Sequence, residues 1–131
     1  MKETLQQLGL LWLRVIAGAG MAYHGYGKVF GGVADKMVEG VANMGFPMPV
    51  VFAWAAALSE FAGGILLILG LGTRFAAFFI FVTMAVAAFK VHGADPLQVK
   101  ELALAYWTVA GALMLTGAGR FSIDSFFCKK Q

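Results

Sequence analysis

The chain has 131 residues, 60% of them hydrophobic and 13% charged, with a formal net charge of +3 at pH 7 and a mean hydropathy of +0.79. That balance argues against an ordinary soluble domain and makes lipid the expected solvent. The basic residues are scattered, which excludes a nucleic-acid surface, and the single cysteine, Cys128, excludes an intrachain disulfide or a CxxC thiol pair.

The first apolar stretch runs from Leu5 to Tyr23, interrupted by Gln6, Gln7 and Arg14. Arg14 breaks the core of "LLWLRVIAGAGMA", which argues against a cleaved signal peptide. "AYHGYGKVF" follows at residues 22–30. It places His24 and Lys28 four residues apart, on one helix face if the first span continues a turn past Tyr23. In "GGVADKMVEGVANMGFP", Val33, Met37, Val41 and Met44 recur at helical spacing, with Asp35, Lys36, Glu39 and Asn43 off that stripe. This pattern predicts a short helix lying in the membrane interface, closed by Gly45 and followed by a restart at Pro47 and Pro49.

The second apolar stretch, Val50 to Leu71, is interrupted by Ser59 and Glu60, and the tight link "GLGTR" leads to the third, Phe75 to Phe89. His92 closes that span, "HGADPLQVK" turns the chain, and the fourth stretch runs from Leu102 to Gly117. About 20 helical residues cross the hydrocarbon at roughly 1.5 Å each, so the first two stretches are long enough and the last two are short for the task. The expected fold is all-α: one domain over residues 1–131, an integral-membrane antiparallel four-helix bundle with a short interfacial helix between spans one and two. Lys2, Arg74, Arg120, Lys129 and Lys130 fall at the end bearing the termini and Lys28, Lys36, Lys90 and Lys100 at the other. The excess predicts cytoplasmic termini.

Two charges stand out, because an ionised side chain deep in a span costs roughly 2.5 to 3.5 kcal/mol unless it is paired or hydrated. Arg14 precedes His24 by ten residues and Glu60 follows Val50 by ten. Both are thus expected roughly 15 Å from the same surface, within reach of each other. Arg14, Gly18, Met21, Gly25 and Lys28 form one helical stripe, and Ala53, Ala56, Ala57, Glu60, Gly63, Gly64 and Leu67 another. An Arg14–Glu60 pair would either fix helix register or line a polar pocket for a headgroup, a quinone carbonyl or a proton path. Above it, His24, Lys28, His92, Glu101 and Tyr106, with Lys90 and Lys100, form either a solvated rim or an outward-opening vestibule. Two histidines can ligate haem iron, or hold zinc or copper with a carboxylate, but the spacing supplies no further ligand, so neither haem nor metal is expected. The scattered methionines read as core filler. "AGAG", "FGG" and "GLG" lack the strand-to-helix setting of a nucleotide loop.

Taken in order, Arg14, "HGYGK" with "FGG", "GFPMP", "EFAGGILLILGLGTR", His92, "KELALAY" and "GAGRFSID" span nearly the whole chain. This arrangement resembles the DoxX family of small bacterial membrane proteins. The resemblance implies a four-span protein of the bacterial inner membrane. Some relatives are linked to a thiosulfate:quinone oxidoreductase as its membrane subunit, others to membrane-associated oxidative-stress complexes. Its implied function is a membrane subunit of such a complex, with a polar intramembrane pocket for a quinone-like or small anionic ligand. The alternative is a non-catalytic assembly factor, lipid-binding scaffold or small-solute conduit. A quinone is the one cofactor suggested. The expected partners are the lipid bilayer, a soluble or membrane redox protein and a second copy of the chain. Relatives proposed as quinone reductases have a larger soluble subunit or fused domain, so thiosulfate oxidation is not expected of this chain alone.

Overall fold

A computed structural model describes residues 1–91 and 93–127, and among these there is helix and connection but no strand. The first helix, α1 (Lys2–Phe30), is 29 residues long. No proline or other breaker interrupts it at Tyr23, and it ends only at Gly31, whose N–H bonds to the Gly27 carbonyl at 2.9 Å. The short helix α2 (Val33–Asn43) is the one its periodicity predicts, ended at Gly45 with φ +87°. Proline at the first turn starts α3 (Pro49–Leu69). Gly70 and Gly72, at φ +69° and +57°, then reverse the chain in three residues, a conformation a side chain would strain.

Next come α4 (Thr73–Val86), prolonged by a π-helical turn over Ala87–Val91, then α5 (Leu97–Thr116) and the single turn α6 (Ile123–Phe127). The helix α1 packs along α3, α3 against α4, and α4 against α5, while α2 lies on α3 and α1 meets α5 over a small area. The α1–α3 seam is antiparallel and close: a Cβ on Gly18 would lie 2.6 Å from the Gly64 carbonyl, and one on Gly64 would lie 2.5 Å from the Ala22 nitrogen. Small residues let the two backbones touch, which is how apolar helices gain packing energy in lipid.

The interior is mostly small or aliphatic: Ala53, Ala57, Ala77 and Ala110 beside Met21, Leu67, Ile80 and Leu113. Large apolar groups instead face outward, among them Trp12 at 71%, Phe75 at 77%, Phe79 at 54% and Leu115 at 83% exposure. A soluble monomer does not present such a belt to water. Among the described residues two helices, Pro49–Leu69 and Thr73–Val91, are long and apolar enough to cross a membrane, each with a mean hydropathy of 1.8. The apolar runs of α1 and α5 are broken by Gln6, Gln7 and Arg14, and by Gln98, Lys100 and Glu101.

Candidate functional site

Both predicted stripes are interior: Arg14, Gly18, Met21 and Gly25 on α1 are buried, as are Ala53, Ala57, Glu60, Gly63, Gly64 and Leu67 on α3. The expected partnership between them is not. Glu60, 2% exposed, accepts a hydrogen bond and ion pair from the Lys28 ammonium, whose side chain is 28% exposed. The reason is register. Gly25 lies against the Glu60–Phe61 backbone, eleven residues beyond Arg14 and thus roughly 16 Å along the helix from it. Taking His24 as the end of the first span placed Arg14 too near Glu60. Because α1 continues to Phe30, Lys28 stands on the helix about one turn beyond Gly25, within reach of the Glu60 carboxylate.

His24 stands one turn before Lys28, exposed, its ring 6.1 Å edge-on from that of Tyr106 and 5.9 Å from Tyr23. Tyr106, half-buried on α5, directs its hydroxyl over Gly20, where a Cβ would collide with it. So α1 and α5 touch where Gly20 leaves room for a phenol, and the Lys28–Glu60 pair lies further along the same end of α1. An ammonium, an imidazole and a phenol can each donate a hydrogen bond. The buried carboxylate can only accept one, or hold a proton.

Arg14 is 1% exposed and solves its burial without a carboxylate. Its guanidinium donates to three main-chain carbonyls: Nε to Leu67 at 2.7 Å, Nη1 to Ala118 at 2.5 Å and Nη2 to Phe121 at 2.8 Å. Those carbonyls belong to the end of α3 and to the segment after α5. Arg14 therefore staples three parts of the chain at the end bearing the N-terminus. The same end is knit by Asp124, whose carboxylate accepts from the Gly72 and Thr73 amides at 2.7 and 2.9 Å, while its own N–H donates to the Gly70 carbonyl at 2.8 Å. These bonds give "GAGRFSID" a physical role that its sequence did not disclose. The visible signal was the aspartate alone, Asp124, and it bears on the amide bonds rather than on the carbonyls.

The remaining predicted site residues divide. Glu101 is exposed in the first turn of α5 and makes no ion pair among the described residues. It stands five residues before Tyr106, about 140° round the helix from it. Lys90 sits over the Phe46 ring, 4.9 Å from its centroid, and Lys100 donates to the Gly93 carbonyl at 3.3 Å. His92 and Cys128 lie outside the described residues. Among the described residues no group of three or more His, Cys, Asp or Glu side chains could hold a metal ion.

Comparison with known proteins agrees with a membrane protein. The DoxX family model matches residues 9–93, which include Arg14, His24, Lys28 and Glu60. An uncharacterised protein of Haemophilus influenzae is 37% identical over 98% of this chain and 97% of its own length. Inner membrane protein YphA of Escherichia coli is 35% identical over 76% of each chain, and inner membrane protein YqjF of the same organism 30% identical over 98% of each. No solved structure matches.

Proposed function

The chain belongs to the DoxX family, and from that premise we propose that it is the inner-membrane subunit of a redox or oxidative-stress complex. In this reading α1, α3, α4 and α5 are the four antiparallel spans, with cytoplasmic termini and α2 in the opposite interface. The polar head of a quinone-like ligand binds at the Lys28–Glu60 end, reaching it through the narrow α1–α5 contact beside Tyr106. The single observation that carries this is the Glu60 carboxylate, 2% exposed, held by one lysine that is itself partly open. A carboxylate needed only for helix register has no need of a partner able to leave.

The chemistry follows from the donors present. A quinone carbonyl accepts hydrogen bonds, and Lys28, Tyr106 and His24 can supply them. A quinone held there would supply a two-electron, two-proton acceptor, and Lys28 would be placed to offset negative charge at its carbonyl. Glu60 and His24 are groups able to pass protons. Arg14 has no part in this, since its donors already face main-chain carbonyls.

Membranes carrying wild type and the double variant Lys28→Met, Glu60→Gln test the reading by partner-dependent quinone reduction. Reduction is expected to fall at least tenfold in the double variant while the protein still accumulates. Equal rates in a folded double variant would end the proposal and favour an assembly or scaffold role.

A further inference from the structure

A hollow opens away from Glu60, at the end of the molecule that bears the N-terminus. It is a cavity of about 770 Å³ between the start of α1, the α3–α4 link, the segment after α5 and α6. Its wall carries two arginines and two carboxylates: Arg74, Arg120, Glu3 and Asp124.

Both carboxylates are already engaged. Asp124 takes the two amides that open α4, and Glu3 accepts from Arg120 Nη2 at 2.6 Å. Arg74 is exposed and has no ion pair among the described residues. Its guanidinium lies against Gly117, where a Cβ would come 3.2 Å from Nε, so the missing side chain gives the fork its place along the wall. Gln7 uses its carbonyl oxygen to accept from the Arg120 amide at 2.7 Å, which leaves its NH₂ as a donor. The cavity thus holds a guanidinium without a counter-ion, a second one shared with an exposed glutamate, and an amide donor.

We propose that this cavity binds an anionic phosphate group, with Arg74 as the principal contact and Arg120 and Gln7 as supporting donors. Planar guanidinium forks match the spacing of phosphate oxygens. The volume is that of a small-ligand site. Its position, where Pro49–Leu69 ends and Thr73–Val91 begins, both long and apolar enough to cross a membrane, is the level at which lipid phosphates sit, and basic hollows between spans at that level suit acidic headgroups. The site is separate from Lys28 and Glu60 and stands whether or not the redox reading does.

The purified full chain in a non-ionic detergent is titrated by calorimetry with dihexanoyl-phosphatidylglycerol, dihexanoyl-phosphatidylcholine and inorganic phosphate. Binding of the glycerol lipid at least fivefold tighter than the choline lipid, weakened at least fivefold by Arg74→Gln with Arg120→Gln, supports the site with a lipid as its source. Binding of inorganic phosphate with the same loss supports it with a soluble source. Both arginines are exposed, so the substitutions leave the packed interior intact. Glu3→Gln, which frees Arg120, is expected to tighten binding about twofold. Failure of the glycerol lipid and of phosphate to bind, equal affinity for the two lipids without phosphate binding, or an undiminished affinity in the double variant would overturn the proposal.

Discussion

Arg14 and Glu60 are both almost wholly buried and both ionisable, yet the chain treats them in opposite ways. Three backbone carbonyls surround Arg14. A carbonyl cannot titrate, and these three are fixed by the helix end and loops that carry them, so the charge is locked. Glu60 depends on one flexible side chain, itself 28% exposed, so its environment changes whenever Lys28 moves or another donor arrives. The contrast separates a charge used as a staple from one held ready for exchange.

The largest effect is expected where the staple is removed. Arg14→Leu strips the donor from the Ala118 and Phe121 carbonyls, whereas Leu67 keeps a bond from the Gly70 amide at 3.2 Å. At about 1–3 kcal/mol for each orphaned carbonyl, unfolding in mixed micelles should become easier by about 2–6 kcal/mol. A loss below about 1 kcal/mol would break the comparison from its Arg14 side.

Lys28→Met should come next, at about 3 kcal/mol, because it leaves a buried carboxylate without its cation. Adding Glu60→Gln should recover most of that loss, and the coupling measured in the double-mutant cycle sharpens the claim that each charge serves chiefly the other. Smaller again is Gly64→Ala, which presses a methyl into the α1 backbone and should cost about 1–3 kcal/mol. Gly9→Ala, with nothing within 4 Å of its added methyl, should be neutral or stabilising by up to about 1 kcal/mol. Equal losses at the two glycines would mean that the α1–α3 seam does not hold the two ends in register.

Much of this was legible in the sequence. The stripes through Arg14 and Glu60 followed from helical spacing, as did α2 and its glycine end, because burial and periodicity are local properties. The partners were not legible, since pairing depends on register between helices. Register was inferred from where the first apolar run stops, at Tyr23, although the helix itself has no reason to stop before Gly31. The helix runs six residues past His24, about half of the eleven-residue offset between Arg14 and the level of Glu60, and the packing of α1 on α3 supplies the rest. The carbonyls that satisfy Arg14 were invisible for a different reason: a backbone acceptor has no residue type. The cavity beside Arg74 and Arg120 is assembled from four distant segments, and only their meeting in space reveals it.

The division of labour is tested most directly by measuring unfolding and short-chain quinone affinity on one preparation of the Lys28→Met, Glu60→Gln double variant. Equilibrium dialysis against ubiquinone-1 reads the affinity. Stability within about 1 kcal/mol of wild type, as expected when a buried ion pair is replaced as a unit, together with an affinity at least tenfold weaker, is the predicted result. A double variant that binds ubiquinone-1 as tightly as wild type would show that Glu60, like Arg14, is only part of the frame.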